Sequence, residues 1–264
     1  MPKIVRSFLA RTALLAAAVS GAAYATSRAD PVYVGRAPVV QRLVQQSWRD
    51  SAVAKAPWAV AHVDSAVASP RFEADRRAFV ADLMRTGRMS TERAESLATY
   101  VVREAYRKKV PPALVFGVML TENDEFRSSA RSNVGAVGLM QIHGEAWVPA
   151  LGKRFGTDLR DDETNVRYGV HILSHYLRTS SDDAASGDVA GADGALRRGL
   201  LRYNGCVRGT NTRGCHRYPD KVMRAVERYA VAQCAGEGVA GCVERPLRFA
   251  MRGGEAEVSG MGGR

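Results

Sequence analysis

Residues 111–122 read PPALVFGVMLTE, and this stretch decides the fold. The two prolines favour a helix start, because the first turn of a helix does not need the N–H that proline lacks. The residues from Ala113 to Leu120 are apolar on every side, which predicts a helix buried in the core of a helical domain. A polar run, residues 121–125, ends this helix and leaves Glu122 at its C-terminal end.

Helical signals continue on both sides of this buried stretch. Apolar residues recur at helical spacing through residues 94–105, as the buried face of an amphipathic helix requires. No alternating strand pattern of useful length appears. The expected helix starts are Ser69-Pro70, Ser90 or Thr91, Asn165 and Pro219. We therefore predict an all-α fold with short loops and little or no sheet.

The N-terminal segment predicts export. A basic start precedes a short apolar run, and the small residues Ala23 and Ala25 suit signal-peptide cleavage. The apolar run is shorter than the ~20 residues that a membrane-spanning helix needs, so a permanent membrane anchor is the less favoured alternative. We expect a signal peptide at residues 1–25, then a periplasmic or extracellular protein without stable membrane insertion.

Composition divides the remaining chain into three parts. Residues 26–69 lack a strong period and predict a linker or a loosely packed extension, residues 70–243 a single helical domain, and residues 244–264 a disordered tail. The formal net charge of +11 suits an anionic partner. No basic run is interleaved with aromatic residues as a nucleic-acid groove requires, so no nucleic-acid partner is expected.

The four cysteines all lie in the last quarter of the chain. An even number in an exported chain indicates two disulfides, and three pairings are possible. We favour the two local pairs, Cys206–Cys215 and Cys234–Cys242. A four-cysteine zinc site is the alternative, but no pair has the Cys-x-x-Cys spacing typical of such sites.

Glu122 is the first candidate for chemistry. A carboxyl at the C-terminal end of an apolar helix is partly desolvated and faces the negative end of the helix dipole, and both effects raise its pKa. A raised pKa is what a general acid needs at neutral pH. The alternative is that Glu122, Asp124 and Glu125 only solvate a helix end.

A glycine-containing segment follows, in which residues 132–141 read SNVGAVGLMQ. Together with Glu122, Asn165-x-x-x-Gly169, Tyr203-Asn204 and Tyr218, in this order, the segment resembles the soluble lytic transglycosylases with a lysozyme-like fold. The resemblance covers roughly residues 92–232, a little over half of the chain. Four ordered blocks at compatible spacings make it more specific than any one block alone.

The resemblance implies a reaction and a set of roles. Glu122 would protonate the glycosidic oxygen between MurNAc and GlcNAc in peptidoglycan glycan strands. It would then take the proton of the C6 hydroxyl, which closes a 1,6-anhydro ring without water, cofactor or metal. Asn165 and Gly169 would be structural, as a helix cap and a close helix contact. The residues matched to the sugar site are Gln141, Met140, Tyr203, Asn204 and Ser132.

The chain departs from the family pattern at two places. The family usually has Glu-Ser and then an aromatic residue three positions after the Glu, whereas here Asn123 follows Glu122 and Phe126 is four positions on. An ungapped alignment would put Asn123 in the place of the acid, and we prefer a one-residue insertion, with Glu125 as the fallback acid. The usual Tyr-Asn-Ala-Gly ends here in Cys206, which suggests a disulfide-stapled loop beside the site.

Three other functions compete with this interpretation. His171 and His175 have the spacing of a metalloprotease helix, but no Glu follows the first His. The favoured interpretation is therefore an ordinary pair of histidines on one helix face. A muramidase-type hydrolase would need a second acid, for which Asp124, Glu125 and Asp161 are the candidates. A catalytically silent peptidoglycan-binding protein is the alternative outside enzymes.

Overall fold

The computed structural model describes residues 69–185, 191–206, 214–248 and 250–251. The predicted signal peptide and all of the predicted linker except Ser69 lie outside the described residues. In chain order the elements are α1 (Pro70–Arg85), α2 (Thr91–Lys108), α3 (Pro112–Glu122), β1 (Ala136–Val137), β2 (Ile142–His143), α4 (Gly144–Phe155), α5 (Asp162–Ala185), α6 (Gly191–Tyr203), a 3₁₀ turn (Cys215–Arg217), α7 (Tyr218–Tyr229), α8 (Val231–Cys234) and a π-helical turn (Ala240–Glu244). The predicted helical, lysozyme-like fold is confirmed.

Helix α3 is the centre of the core, as its sequence predicts. Every residue from Pro112 to Leu120 is buried. Gly117 allows α7 to approach closely, because a Cβ at this position would lie 2.5 Å from Cγ2 of Val226. The helix that carries Glu122 is therefore held by packing along its whole length.

Two of the predicted helix starts are confirmed by their capping bonds. The Ser69 hydroxyl accepts the N–H of Phe72 at 3.1 Å, and the Ser90 hydroxyl accepts the N–H of Arg93 at 3.4 Å. Each bond satisfies a backbone donor that the first turn of a helix leaves without a partner.

The prediction that Asn165 caps α5 is wrong. The helix begins at Asp162, and the Asp161 carboxylate accepts the N–H of Thr164 at 2.7 Å. Aspartate caps a helix as well as asparagine does, so the earlier Asp161 takes this place. Asn165 instead lies inside the first turns of α5 with its side chain buried.

The only sheet among the described residues is a small hairpin. Strands β1 and β2 pair antiparallel, with Ala136 opposite His143 and Val137 opposite Ile142. Strand β1 and the loop between the strands belong to the SNVGAVGLMQ segment, and β2 follows it directly, so the two glycines lie in the turns before and after β1. No helix in the described ranges is long and apolar enough to cross a membrane.

The predicted disordered tail begins too early. Residues 245–248, 250 and 251 are helical, and Leu247 is only 5% exposed. Val243 and Leu247 are four positions apart on this helical segment and both are buried, which explains why it folds despite its charged neighbours. The helical domain therefore extends past the predicted boundary at residue 243, and residues 252–264 lie outside the described part.

Both predicted disulfides are present. Cys206 pairs with Cys215 and Cys234 pairs with Cys242, with Cα–Cα distances of 5.7 Å and 5.0 Å. The first bond connects the end of α6 to the turn that precedes α7. The second closes the loop after α8 against the π-helical turn.

Candidate active site

Glu122 lies at the C-terminal end of α3, where the helix leaves the core. Its Oε1 accepts a hydrogen bond from the Tyr218 hydroxyl at 2.6 Å. Burial raises the pKa of the Glu122 carboxyl to about 7, and the hydrogen bond from Tyr218 only partly offsets this effect. The carboxyl can therefore exist in both protonation states near neutral pH, which suits a group that first donates and later accepts a proton.

Tyr218 is the first residue of α7 and is buried. Burial, together with the charge of Glu122, raises the pKa of its phenol well above the usual value, so the hydroxyl remains a donor. In the sequence, Tyr218 stands out only as the last residue of the family resemblance, from which no role was predicted for it. The proline at position 219, which is tolerated in the first turn of a helix, was the signal that placed Tyr218 at a helix start.

Tyr203 provides a second phenol beside Glu122. It is the last residue of α6, and its hydroxyl donates to the carbonyl oxygen of Met140 at 2.9 Å. Burial and then the negative charge of Glu122 raise the pKa of Tyr203 well above its usual value. The expectation that Tyr203 lies near the acid agrees with this arrangement.

The loop at residues 137–140 is anchored to α5 by one buried amide. Oδ1 of Asn165 accepts the N–H of Met140 at 2.8 Å, while Nδ2 donates to the carbonyl oxygens of Val137 at 2.9 Å and Leu159 at 2.8 Å. Gly138 has a φ of +83°, and a Cβ there would lie 2.2 Å from the Asn165 amide. The sequence therefore needs both the asparagine and the glycine to fix the loop.

Met140 and Gln141 differ in their surroundings. The Met140 side chain is completely buried, and a Cβ at Gly169 would lie 2.1 Å from its sulfur atom. Gly169 thus makes a close contact, but with the loop residue Met140 and not with another helix as expected, and the Met140 side chain faces the core instead of an open groove. Gln141 is partly exposed, has a φ of 48°, and donates from Nε2 to the Gly138 carbonyl at 2.9 Å.

Ser132 and Asn204 make mainly local bonds. The Ser132 hydroxyl accepts the N–H of Ala136 at 3.0 Å, which closes the turn between them. Asn204 follows Tyr203 at the end of α6, where its N–H donates to the Leu200 carbonyl at 3.1 Å. It is partly exposed. Of these two predicted sugar contacts, Ser132 is therefore committed to the hairpin turn, while the Asn204 amide lies next to a site tyrosine.

Asn123, the residue that an ungapped alignment would put in place of the acid, is buried and structural. Its Nδ2 donates to the carbonyl oxygens of Arg127 at 2.7 Å and Gly138 at 3.2 Å, and its Oδ1 accepts the N–H of Arg127 at 3.2 Å. Phe126, which follows within this loop, is fully buried with a φ of 52°. Asn123 thus fastens the loop after α3 through its side-chain amide.

The other candidate acids are engaged elsewhere. Glu125 is exposed and lies 3.0 Å from Nε of Arg127, and Asp124 is 3.1 Å from Nη1 of Arg88. Asp161 caps α5. Among the described carboxyl groups, Glu122 is the one that combines burial with a hydrogen bond from a site tyrosine.

The Cys206–Cys215 disulfide lies close in sequence to both tyrosines. Cys206 is three residues after Tyr203, and Cys215 is three residues before Tyr218. The bond therefore joins the chain segments that present the two phenols to Glu122, in agreement with the expected stapled loop beside the site.

No cluster of three metal-ligating side chains occurs in the described ranges. The two histidines of α5 contact aromatic rings. The ring of His171 packs 5.3 Å from that of Phe155, and the ring of His175 packs 5.3 Å from that of Tyr176.

Comparison with known proteins gives one finding. The family model of the transglycosylase SLT domain matches residues 99–201, whereas no curated protein and no solved structure matches the chain. The matched residues begin in α2 and end in α6, so they include Glu122 and the hairpin, while Tyr203 and Tyr218 follow them. Residues 99–201 of this chain therefore form a transglycosylase SLT domain, a member of the family whose motifs the sequence resembles.

Proposed function

We propose that the protein is a lytic transglycosylase that cleaves the MurNAc-β-1,4-GlcNAc bond of peptidoglycan glycan strands and leaves 1,6-anhydro-MurNAc ends. One observation carries the proposal: Glu122, a partly exposed glutamate in the region matched by the SLT family model, has a pKa of about 7 and accepts a hydrogen bond from the buried Tyr218. The family supplies the substrate class, and the carboxyl supplies the chemistry.

In the first step, protonated Glu122 gives its proton to the glycosidic oxygen while the bond from that oxygen to C1 of MurNAc breaks. The GlcNAc fragment leaves with a new hydroxyl, and the carboxyl becomes a carboxylate. The Tyr218 hydroxyl, at 2.6 Å from Oε1, stabilises this negative charge. The pKa of about 7 keeps a large fraction of Glu122 protonated at neutral pH, so the first step can begin.

In the second step, the Glu122 carboxylate removes the proton of the MurNAc C6 hydroxyl as this oxygen bonds to C1. The 1,6-anhydro ring closes, no water is consumed, and the carboxyl is again protonated for the next cycle. One residue serves in turn as acid and base, so this route needs no second carboxylate.

The surrounding residues keep the acid in this environment. The Tyr203 hydroxyl is hydrogen-bonded to the Met140 carbonyl close to Glu122, while Asn165 fixes the same loop to α5. Gln141 and Asn204 are partly exposed and can bind sugar hydroxyl or amide groups. Ser132 and Met140 act indirectly, through the shape of the hairpin and its loop.

The hydrolase alternative is less well supported. A glycosidase with two carboxyl groups places them about 5–9.5 Å apart across the bond. Asp124 and Glu125 are paired with arginines, and Asp161 caps a helix. We also propose, from the N-terminal segment, that the protein is exported and acts in the periplasm or outside the cell.

Product analysis tests the proposed reaction. Purified sacculi are incubated with the full chain, with Glu122→Gln and with the control variant Glu125→Gln, and the soluble products are identified by mass spectrometry. We expect anhydro-muropeptides from the wild type and from Glu125→Gln, and none from Glu122→Gln. Reducing-end products from the wild type would instead identify a muramidase. Sacculus binding without any product would identify a silent binding protein.

A further inference from the structure

A group of basic side chains lies at one face of α5, on elements that do not carry Glu122. His171, His175 and Arg178 are spaced at helical intervals on α5, Lys108 ends α2, and Arg154 lies in the last turn of α4. We call these five residues the basic cluster. Three separate elements contribute to it, so its charges are brought together by tertiary structure.

Direct contacts hold the basic cluster together. The Arg154 guanidinium lies 5.3 Å from the ring centre of Phe155, and the His171 ring packs against the same ring at 5.3 Å. On the next turn of α5, the Ser174 hydroxyl donates to the Lys108 carbonyl at 3.1 Å and accepts from Nη2 of Arg178 at 2.5 Å. These contacts bring the basic side chains to one side of α5, where Arg154, His175 and Arg178 are exposed and Lys108 and His171 are half-buried.

These cations repel one another. Burial, followed by the charges of Lys108, Arg154, His175 and Arg178, lowers the pKa of His171 to about 4. Burial, followed by the charges of Arg154 and Arg178, lowers the pKa of Lys108 as well. A fixed group of like charges is costly unless an anion offsets it.

The part of the chain that the structure describes provides almost no such anion. None of Lys108, Arg154 and Arg178 forms an ion pair with a described carboxylate. The one carboxylate that acts on Lys108 is Glu104, and it is bonded to Arg107 at 2.7 Å. His171 also lacks a polar partner, because its Nδ1 is buried and has no hydrogen-bond partner among the described residues. Helix dipoles favour Lys108 and Arg154 at helix C-termini, but Arg178 lies within α5.

We propose that the basic cluster binds a phosphate group. Two guanidinium forks and one ammonium group match the several oxygens and the charge of a phosphate, whereas a single carboxylate would satisfy only one fork. An N–H of the His171 ring adds a further donor. The group belongs to a phosphodiester or phosphomonoester, of which an anionic phospholipid headgroup and a phosphate-bearing polymer are two sources with the same chemistry.

Such a site would anchor the protein to a phosphate-rich surface and leave the chemistry at Glu122 unchanged. The inference does not depend on the proposed transglycosylase reaction, because none of the cluster residues contributes to the catalytic groups. Failure of one proposal therefore leaves the other intact.

The pKa of His171 reports directly on occupancy of the site. The full chain is labelled at histidine and titrated by NMR in chloride and in inorganic phosphate at equal ionic strength, and the His171 signal is assigned with His171→Gln. We expect phosphate to raise the His171 pKa by about one unit or more relative to chloride, because a bound anion favours the imidazolium. No difference between the two anions would overturn the proposal.

Variants make the test specific. Arg154→Ala combined with Arg178→Ala should abolish the phosphate-induced shift, whereas the control Lys153→Ala, an exposed neighbour of the same charge, should retain it. Circular dichroism and the thermal midpoint confirm that the variants are folded. An equal loss of the shift in Lys153→Ala would contradict the site, since only general charge would then matter.

Two further arms identify the source of the phosphate. Sedimentation with vesicles of phosphatidylglycerol in phosphatidylcholine tests the lipid, with pure phosphatidylcholine as control, and titration with glycerol phosphate oligomers tests the polymer. Binding to either source that is lost in the Arg154/Arg178 double variant supports the site and names its ligand. Binding that persists undiminished in the double variant, or no binding to either source, overturns it.

Discussion

Two glutamates on neighbouring helices, Glu104 buried and Glu122 half-buried, have opposite surroundings. Glu104 on α2 is 3% exposed and lies against guanidinium groups, whereas Glu122 on α3 has a tyrosine hydroxyl as its described partner. The distances from Glu104 Oε1 are 2.7 Å to Arg107, 3.8 Å to Arg167 and 3.9 Å to Arg103. A buried carboxylate surrounded by cations is a stable ion in a structural network, while one without cations readily holds a proton.

The difference separates structure from chemistry within one helical domain. The arginines around Glu104 come from α2 and α5 and tie these helices together. Tyr218 offers Glu122 a hydrogen bond but no positive charge, so desolvation dominates and raises the pKa of Glu122 to about 7.

The largest expected effect is on catalysis. Glu122→Gln should lower the rate of anhydro-product release by about 1,000-fold or more, because the amide cannot transfer a proton. Glu104→Gln, the matched change in the other glutamate, should reduce the rate less than about threefold when both proteins are folded. The rates are measured on sacculi by chromatography of released muropeptides. Equal losses in the two variants would remove the distinction between the two glutamates.

The second effect is on stability. Glu104→Gln should lower the free energy of unfolding by about 2–3 kcal/mol, because it removes the shared partner of several arginines from a buried position. Arg103 and Arg167 retain Glu163, which limits the loss. Urea unfolding measures it, with Glu95→Gln on the exposed side of α2 as the control. A Glu104 variant as stable as the control would show that the network contributes nothing.

The third effect concerns the hydrogen bond to the acid. Tyr218→Phe removes a bond that lowers the pKa of Glu122, so the pKa should rise further. The alkaline limb of the pH–rate profile should move to higher pH, and the maximal rate should fall about 10- to 100-fold because the charged form loses its donor. A lower rate with an unmoved alkaline limb would indicate that Tyr218 is structural only.

The smallest effect links Glu122 to pH-dependent stability. Its pKa is raised on folding, so the folded state binds the proton more tightly, and the stability contributed by the protonated form is lost as pH rises from 4.5 through about 7. Glu122→Gln should therefore be more stable than the wild type by about 1–3 kcal/mol at pH 8, with the advantage declining towards pH 4.5. Thermal unfolding across this pH range measures it, and a constant difference at all pH values would contradict the raised pKa.

Much of the fold was predictable because its signals are local. The apolar run from Ala113 to Leu120 could only be buried, Ser69 and Ser90 cap helices through bonds three residues away, and the disulfides join nearby cysteines. The Glu122 environment was predictable in direction, since it depends mainly on the helix that carries it.

The errors and omissions concern contacts between distant segments. Tyr218 reaches Glu122 across 96 residues, and no periodicity indicates such a bond. Asn165 was expected to be a cap, although its amide binds a loop 25 residues earlier, because Asp161 was already placed to cap the helix. The helical segment after residue 243 was missed because its few apolar residues are buried by other parts of the fold.

The central claim is that desolvation, with no cation acting on the carboxyl among the described residues, gives Glu122 the proton affinity of a general acid at neutral pH. NMR titration of the side-chain carboxyl carbons in glutamate-labelled full chain tests it directly, with the Glu122 signal assigned by its loss in Glu122→Gln. The structure predicts a midpoint of about 7 for this signal. A midpoint near 4.5, the ordinary value for a glutamate, would contradict the account.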